Sequence, residues 1–531
     1  MSAQTSAREY VFTIDLGTSG PKVALFTFDG DYIDGEFEAV DLVLIGKDGV
    51  EQRPGDWWSG VIAASARMWE RVEVAPSEVA AVSVTSQWSG TIPVDASGEP
   101  LHDAVIWMDS RGAGAVQRKV RGPVNVEGFD PRKLRKWIQL TGGVPSLSGK
   151  DPFGHILWFM ENLPAVASEA ALFLEPKDWL NFKLSGRAVA TYDSIVLHWL
   201  TDNRDTERID YVPQLLEWAG IDRSQLPDLV AATDVIGSVT DAAAAELGLP
   251  AGVPVIGGTP DVQSAAIGSG AVADYEGHLY VGTSSWLTCH LPMKKTDVFR
   301  GVASLPSPLP GKYFVADEQE TAGATLNWLR DRVLYPDDAL GTGPPPEDVY
   351  GRIDALAATS PVGSNGVIFT PWLNGERTPV DDHTLRAGWF NLSLASTRAD
   401  QVRAVLEGVA FNSRWMMEAV EKFCGRPFPW LNFIGGGANS PLWCQIMADV
   451  LDREIRQVEN PVRANARGAA LLAAIALGRS TVDEVGHRVK IARTYRPDPA
   501  SRATYDGLYA EFGTLYKQNK AMYSRLNRAD H

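Results

Sequence analysis

Residues 11–28 (VFTIDLGTSGPKVALFTF) constrain the fold of this chain more than any other stretch. Two apolar runs rich in β-branched and aromatic residues flank a short glycine-rich segment at residues 15–20. This pattern predicts two strands joined by a tight turn, and the turn brings Thr18, Ser19 and several N–H groups together as donors for a phosphate. The alternative is an ordinary glycine-rich hairpin with a solvated Asp15.

Charged residues lie on both sides of this turn. Lys22 follows Gly20 as a cation, and Asp15 precedes Gly17 as a carboxylate. Glycine allows the backbone to turn sharply and to come close to a ligand. A carboxylate at the mouth of such a turn can hold a hydrated Mg²⁺ through water.

A second copy of the motif lies far along the chain. Residues 279–287 (LYVGTSSWL) again place Gly282, Thr283 and Ser284 between two apolar runs. A recurring design indicates two related halves, each with a phosphate turn. Two such turns facing each other would clamp a polyphosphate between two domains.

Length and composition exclude several classes of protein. A chain of 531 residues exceeds one hydrophobic core, and roughly two to four domains are expected. A net charge of −17 argues against nucleic acid or an anionic membrane as a partner. Three cysteines without close spacing fit a reducing compartment better than a disulfide framework or a zinc site.

The chain also lacks the apolar segments that direct proteins to membranes. The N-terminal segment MSAQTSAREY has no apolar run typical of a signal peptide. The longest apolar stretch, residues 468–478, is too short to span a bilayer. A cytoplasmic protein without a membrane partner is therefore expected.

Polar and aromatic residues follow several predicted strands. Residues 32–45 are predicted to continue the first sheet as a strand, and further strands are predicted over residues 80–85, 91–94 and 104–108. The residues at the ends of these later strands include Gln87, Trp88, Trp107 and Asp109. Ligands of open α/β sheets lie beyond strand ends, and indole faces with amide and carboxylate groups suit a small polyhydroxylated molecule. A core position is the alternative for the two tryptophans.

Asp261 is the candidate general base. It follows an apolar strand and two glycines, and it lies shortly before the second phosphate turn. A carboxylate in this position can accept a proton from an attacking hydroxyl. The alternative is a helix N-cap, a position that Asp favours.

Two further segments allow more than one interpretation. Lys177 and Asp178 open a predicted helix, for which a solvated helix start is favoured over catalysis. Residues 435–437 are three glycines between a predicted strand and a helix that begins with Ser440 as its cap. They allow close approach of a planar group such as adenine, and a tight turn with packing constraints is the alternative.

The motifs of several common catalytic families are missing. The sequence has no G-x-x-x-x-G-K-[ST] P-loop, no protein-kinase catalytic loop, no G-x-S-x-G elbow and no H-E-x-x-H pair. A phosphoryl-transfer enzyme with this sequence must use a different phosphate cradle.

Taken together, the motifs resemble those of the FGGY carbohydrate kinases, members of the actin/Hsp70/sugar-kinase superfamily. The resemblance covers nearly the whole chain, with the motifs in the family's order. The matching segments are residues 15–19 with Lys22, residues 177–180 (P-K-D-[YW]-L), residues 257–261 around the base, residues 281–284, residues 373–379 (L-x-G-E-R-T-P) and residues 435–440.

The resemblance implies an α/β protein with two actin-like (ribonuclease H-like) domains flanking a catalytic cleft. Residues 1–257 would bind the sugar, and residues 258–531, with a C-terminal helical tail, would bind ATP. Asp261 would be the general base, and Asp15 would help to place Mg²⁺. The residues expected to contact ATP are Gly17, Thr18, Ser19, Lys22, Gly282, Thr283, Ser284, Gly436, Gly437, Ala438 and Asn439. The residues expected to contact the sugar are Gln87, Trp88, Trp107, Asp109 and Asp261.

Two departures from the family pattern affect the expected substrate. Residues 87–90 read Q-W-S-G, whereas xylulokinases typically have Q-M-H-G and glycerol kinases Q-R-E-T at this segment. Residues 258–261 read G-T-P-D instead of the commoner G-G-G-D. A pentulose such as xylulose is expected, with a glycerol-, erythritol- or ribitol-type polyol as the alternative. From other classes, the alternatives are an actin- or Hsp70-like ATPase and a non-catalytic sugar sensor. A homodimer is one alternative for the oligomeric state.

Overall fold

The computed structural model describes residues 9–297, 302–341 and 343–527, and residues 1–8 of the N-terminal segment lie outside these ranges. The strands of the first half, in chain order, are β1 (Tyr10–Gly17), β2 (Gly20–Thr27), β3 (Tyr32–Phe37), β4 (Val43–Ile45), β5 (Gly49–Gln52), β6 (Val79–Ser86), β7 (Ile92–Val94), β8 (Ala104–Val105), β9 (Leu172–Leu174), β10 (Val189–Thr191), β11 (Asp228–Val230), β12 (Val235–Ser238) and β13 (Pro254–Pro260). The helices of this half are α1 (Pro54–Trp69), α2 (Ala113–Val120), α3 (Pro131–Thr141), α4 (Pro152–Asn162), α5 (Pro164–Glu169), α6 (Pro176–Ser185), α7 (Pro213–Ala219), α8 (Asp241–Leu247) and α9 (Asp261–Gly268).

The second half continues with the same mixture of strands and helices. Its described strands are β14 (Gly277–Val281), β15 (Ser285–Leu291), β16 (Thr296–Asp297), β17 (Val302–Pro306), β18 (Tyr313–Gln319), β19 (Ile368–Thr370), β20 (Gly388–Phe390), β21 (Trp430–Ile434), β22 (Glu454–Val458) and β23 (Ile491–Tyr495). Its described helices are α10 (Gly323–Leu329), α11 (Val349–Ala357), α12 (Arg398–Cys424), α13 (Pro441–Leu451), α14 (Ala464–Ala476), α15 (Val482–Arg488) and α16 (Arg502–Asn527).

Each half contains one large sheet, and the two sheets share a local topology. The six-stranded sheet has the order β12-β13-β6-β1-β2-β3, and the eight-stranded sheet has the order β16-β17-β18-β15-β14-β21-β22-β23. In the first sheet, the antiparallel β1–β2 hairpin has β6 parallel to β1 on its other side. In the second sheet, the antiparallel β14–β15 hairpin has β21 parallel to β14 in the same way. Both predicted hairpins and the repeat that they form are therefore confirmed.

The strand predicted over residues 32–45 is wrong in its extent. β3 ends at Phe37, and β4 belongs to a separate three-stranded sheet with β5 and β8. Between these strands, the N–H groups of Glu38 and Val40 donate to the carbonyls of Pro21 and Ser19, both at 3.0 Å. The backbone leaves the sheet because these residues bind to the first turn instead.

The apolar stretch that begins at Gly468 is buried inside the molecule. It forms most of α14, which packs against α9 and against β1 and β6 of the first sheet. A Cβ atom on Gly468 would lie 1.8 Å from the carbonyl oxygen of Ser264, so the two helices cross in close contact. A helix that is apolar all round belongs in such a position. None of the helices in the described ranges is both long and apolar enough to cross a membrane.

The predicted division of the chain into residues 1–257 and 258–531 falls within a strand. β13 continues to Pro260, and it pairs in parallel with β6 up to that residue. The helix α9 then leads toward the second sheet. The bounds of the two domains stay a prediction.

Candidate active site

Three parallel strands bring the candidate residues of the first half to one edge. Leu16 of β1 pairs with Ser86 of β6, which also pairs with Pro260 of β13. The carboxyl ends of these strands therefore lie side by side, where ligands of α/β sheets bind. The residues that follow the three strand ends are Thr18, Gln87, Trp88 and Asp261.

Hydrogen bonds between buried amides hold the first turn in place. Thr18 Oγ1 donates to Gln87 Oε1 at 3.2 Å, and Gln87 Nε2 donates to Gln52 Oε1 at 2.7 Å. Gln52 Nε2 in turn donates to the carbonyl oxygen of Thr18 at 2.8 Å. Both the oxygen and the nitrogen of the Gln87 amide therefore form hydrogen bonds that shape the turn. Ser19 is exposed. Sequence analysis did not identify Gln52, because its strand carries no recognisable motif.

Asp15 and Lys22 form an ion pair beneath this turn. Asp15 Oδ2 lies 3.3 Å from Lys22 Nζ, and the pKa of Lys22 is raised chiefly by the charge of Asp15. Asp15 Oδ1 is buried and has no hydrogen-bond partner among the described residues. A buried, unsatisfied carboxylate oxygen fits a water ligand of Mg²⁺, the ion expected here. The described residues contain no group of three or more His, Cys, Asp or Glu that could hold a metal ion.

Asp261 is the first residue of α9 and is partly exposed. Its Oδ1 accepts from its neighbour Val262 N at 2.8 Å, whereas an N-cap side chain accepts from an N–H two or three residues ahead. The alternative assignment of Asp261 as an N-cap is therefore wrong. The pKa of Asp261 is raised to about 7, chiefly by burial and then by the negative charges of Asp15 and Glu318.

The strand before Asp261 is distorted by a bulge that buried side chains hold. The pairing of β13 with β6 shifts between Ile256 and Thr259. Gly258 has φ +74°, and a Cβ there would lie 2.1 Å from the carbonyl oxygen of Val84. Thr259 Oγ1 donates to the buried Asp193 at 2.5 Å, which gives the unusual threonine of this segment a structural role.

The helix α6 also holds this bulge, through the P-K-D-[YW]-L segment. The carbonyl oxygen of Gly257 accepts from Lys177 Nζ at 3.1 Å and from Asn181 Nδ2 at 2.8 Å. Lys177 and Asp178 are fully buried and lie 2.5 Å apart as an ion pair. The predicted solvated helix start is therefore wrong: these charges face the strand that leads to Asp261.

The second turn is held by its backbone and by aromatic rings. Gly323 N donates to the carbonyl oxygen of Gly282 at 2.6 Å, and Ala322 N and Ala324 N donate to that of Thr283. Thr283 is exposed, and Ser284 is partly exposed. Both side chains are therefore accessible to a ligand.

Tyr280 places the second turn close to the carboxylates of the first half. Its ring stacks on Trp286 with centroids 3.8 Å apart. The pKa of Tyr280 is raised to about 12, chiefly by burial and then by the charges of Asp261 and Asp15. The strand that leads to the second turn therefore lies near both carboxylates, and we call the region between the two turns the cleft.

The glycine segment after β21 lies at the same edge as the second turn, since Tyr280 pairs with Ile434. A Cβ on Gly435 or on Gly437 would lie within 2.7 Å of Val281, so packing requires both glycines. Gly436 has no atom within 4 Å of such a position and is exposed, as is Asn439. The packing interpretation thus holds for two glycines, and Gly436 leaves open space for a flat group.

Both candidate tryptophans are partly buried, and Trp107 packs against the apolar core of the first half. Trp107 Nε1 donates to Thr18 Oγ1 at 3.0 Å, and the guanidinium of Arg377 lies 5.9 Å from the Trp107 ring. Trp88 Nε1 donates to the carbonyl oxygen of Ser194 at 2.9 Å. Trp107 therefore contacts the first turn and faces the second half, whereas the hydrogen bond of Trp88 lies within the first half.

Asp109 is buried and its oxygens are already engaged. It accepts from Val50 N at 2.8 Å and from Arg111 Nε at 2.8 Å. Arg111 also pairs with Glu51 at 2.5 Å and lies 3.8 Å over the ring of Trp158. These contacts favour a role for Asp109 in positioning Arg111 over direct contact with a ligand.

The L-x-G-E-R-T-P segment contributes charges that sequence analysis did not assign. Arg377 pairs with Glu318 and Glu320, both at 2.5 Å. Lys150 of the first half is near this cluster: burial lowers its pKa, as does the charge of Arg377, while Glu320 raises it. Ser89 Oγ donates to the carbonyl oxygen of Lys150 at 2.9 Å and so ties it to the segment that carries Trp88.

Two sheets, each with a hairpin that ends in a glycine-rich turn, define a two-domain α/β kinase fold. Models of the FGGY family of carbohydrate kinases match residues 10–268 (N-terminal domain) and residues 278–477 (C-terminal domain). The chain belongs to this family and is a sugar kinase. The resemblance stated from the motifs is confirmed.

Individual relatives match over almost the whole chain. A xylulose kinase of Staphylococcus epidermidis is 27% identical over 521 residues, which cover 98% of this chain and 99% of the relative. A gluconokinase of Bacillus subtilis is 25% identical over 520 residues, which cover 97% of each chain. The crystal structure of a ligand-bound xylulose kinase from Lactobacillus acidophilus has a TM-score of 0.84 at 23% identity, covering 98% of this chain and 100% of that one. At this identity, the structural likeness supports the fold alone.

Proposed function

We propose that this enzyme transfers the γ-phosphoryl group of ATP to a hydroxyl of a small sugar, with Asp261 as general base. ATP is the phosphate donor of the FGGY kinases. The observation that carries the base assignment is the position of Asp261 beyond β13, facing Asp15, with a pKa raised to about 7. A carboxylate with that pKa takes up a proton from an attacking hydroxyl near neutral pH more readily than an ordinary aspartate.

The phosphates would lie between the two turns. Thr18, Ser19 and Thr283 would donate hydrogen bonds to them, and Lys22 would neutralise part of their charge. Asp15 would hold Mg²⁺ through water, and that ion would neutralise charge on the β- and γ-phosphates. The sugar hydroxyl would approach from the side of Asp261.

The nucleoside would bind to the second half. The open space at Gly436 admits the flat face of adenine, and Asn439 is exposed beside it. Gly437 and Ala438 are buried and would support this surface. Gly282 and Ser284 would complete the turn that faces the phosphates.

The acceptor would bind at the carboxyl edge of the first sheet. Trp88 and Trp107 would cover it with their rings, and Gln87 would shape the floor through its bond to Thr18. Asp109 would act through Arg111. We favour a pentulose such as xylulose as the acceptor, because several relatives bear the name xylulose kinase. A polyol or an aldonate is the alternative, since Q-W-S-G departs from the xylulokinase pattern and other relatives bear the name gluconokinase.

An ATPase with a purely conformational output and a sugar sensor are the rival functions. Both lack a use for a carboxylate poised as a base beside the phosphate turns. Two facing lobes also suit transfer to a small acceptor, because closure excludes water and limits wasteful hydrolysis. The arrangement around Asp261 therefore favours the kinase.

The test is ADP release from Mg²⁺-ATP with a panel of pentuloses, hexuloses, aldonates and polyols. We expect one class of acceptor to stimulate the wild type strongly and to leave Asp261→Asn unstimulated. Slow ADP release that no acceptor stimulates would favour the ATPase. Thermal stabilisation by a sugar without turnover would favour the sensor.

A further inference from the structure

Two thiols lie close together in the second half, away from the cleft. Cys289 of β15 pairs across the sheet with Gly277, at the end of β14 opposite to the second turn. Cys424 is the last residue of α12. Their Sγ atoms are 3.7 Å apart although 135 positions separate them in the chain. Both cysteines are free thiols in the structure.

The surroundings of the two thiols differ. Cys289 is fully buried, and burial raises its pKa well above the usual value. Cys424 is partly exposed, and its pKa is lowered chiefly by its hydrogen bond with Cys289, with help from the charges of Lys295 and Arg426. Burial and then the charge of Glu421 oppose this lowering of the pKa. Nucleophilic cysteines occur in such electropositive and partly exposed positions, whereas buried apolar ones are inert.

A cation is held beside the more exposed thiol. Lys295 Nζ donates to the carbonyl oxygen of Phe423, and it lies 5.0 Å over the Phe423 ring. Cys424 is followed by Gly425, whose φ is +78° and which ends the helix. The thiol thus lies at a helix terminus. The separation of 3.7 Å between the sulfur atoms must shorten by about 1.7 Å to reach the length of a disulfide bond, about 2.05 Å.

We propose that Cys289 and Cys424 form an oxidisable dithiol, in which Cys424 reacts with a peroxide and Cys289 resolves the product into a disulfide. The Cys424 sulfur attacks one oxygen of hydrogen peroxide, the O–O bond breaks, and a sulfenic acid and water result. The Cys289 sulfur then attacks the sulfenic sulfur, so that an S–S bond forms and a second water leaves with the thiol proton. The two thiols lose two electrons, and the peroxide accepts them.

The chain supplies its own control in Cys444. This residue lies on α13, is fully buried, and burial raises its pKa to about 12. Its sulfur lies 3.6 Å from the carbonyl oxygen of Ala438. Cys444→Ser therefore removes a thiol without touching the proposed pair.

The experiment is treatment of the folded full-length protein with hydrogen peroxide, followed by alkylation and mass spectrometry. We expect the wild type to fall from three alkylatable thiols to one, with a mass loss of about 2 Da and a peptide that links Cys289 to Cys424. Cys444→Ser should form the same link and keep no alkylatable thiol. Cys424→Ser should form no link, and Cys289→Ser should accumulate a sulfenic acid at Cys424 that dimedone traps.

A second readout is thermal unfolding. A disulfide that closes a loop of this length constrains the unfolded chain, so the oxidised wild type should unfold at a higher temperature than the reduced one. Cys424→Ser should show no such rise after peroxide treatment. The proposal is overturned if the treated wild type keeps three thiols, or if Cys424 is oxidised to a sulfinic acid without a link to Cys289.

Discussion

Around the first turn, charged side chains dominate: Asp15 lies 3.3 Å from Lys22, and its charge helps to raise the pKa of Asp261. Around the second turn, backbone hydrogen bonds and the stacked rings of Tyr280 and Trp286 dominate instead. The two turns share the pattern Gly-Thr-Ser and a hairpin setting. The repeat therefore preserves a shape in both halves, while the ion pair of Asp15 and Lys22 belongs to the first turn.

The largest expected effect is that of Asp261→Asn. Loss of the base should lower sugar-dependent ADP release by about 100- to 10,000-fold, while ATP affinity stays within about twofold. Steady-state kinetics and calorimetric titration with ATP measure the two quantities. Asp41→Asn, at an exposed position, is the matched control and should behave as wild type. Substantial turnover in Asp261→Asn would show that the base assignment is wrong.

The next comparison sets Asp15→Asn against Thr283→Ala. The wild-type kcat/KM should fall as the pH drops below about 7, because Asp261 is protonated below its pKa and a protonated carboxyl is no base. Asp15→Asn removes a negative charge that raises this pKa, so the acid limb should move to lower pH, with kcat reduced about 10- to 100-fold. Thr283→Ala should raise KM for ATP a few-fold and leave the acid limb of the pH profile at the same pH. Equal shifts of the acid limb in both variants would contradict the inference that the charge acting on Asp261 comes from the first turn and not from the second.

The glycines of the two turns provide a third comparison. A Cβ on Gly282 would lie 1.9 Å from the hydroxyl of Tyr280, whose ring is held by Trp286, whereas the nearest atom to a Cβ on Gly17 is 3.9 Å away. Gly282→Ala should therefore lower the free energy of unfolding by about 1–3 kcal/mol. Gly17→Ala should change it by about 0.5 kcal/mol or less. Denaturant titration measures the free energy of unfolding of both variants. An equal loss of this free energy in the two variants would mean that the second turn is not held by packing.

The smallest expected effects separate the two tryptophans. Trp88→Ala should weaken sugar affinity about 10-fold and leave ATP affinity unchanged, since the hydrogen bond of Trp88 to Ser194 lies within the first half. Trp107→Ala should weaken both, because Trp107 contacts Thr18 and faces Arg377. Binding titrations with sugar and with ATP test this difference. A parallel loss of both affinities in Trp88→Ala would indicate a structural role for that ring.

Local patterns made a large part of the fold predictable. The two hairpins depend on short apolar runs around Gly-Thr-Ser, and both occur as predicted. The helix α13 begins where Ser440 indicates, with its Oγ accepting from Trp443 N at 3.0 Å. Asp261 follows the strand predicted before it. In each of these segments, the local pattern was enough to predict the element, although distant side chains hold the bulge of the strand before Asp261.

Contacts between distant segments were beyond such patterns. Lys177 and Asp178 look solvated as adjacent charges, yet tertiary packing buries them against Gly257. Gln52 reaches the first turn only because β5 packs beside it, and Arg377 faces Trp107 only after the two halves assemble. These positions depend on the arrangement of whole elements, which no local window contains.

The most direct test of the proposed phosphoryl transfer is ³¹P NMR of the enzyme with Mg²⁺-ATP and the stimulating sugar. A sugar-phosphate resonance should grow as the γ-phosphate signal declines, in equal amount to ADP, and it should not appear with Asp261→Asn. Inorganic phosphate appearing at the same rate with and without sugar would contradict it.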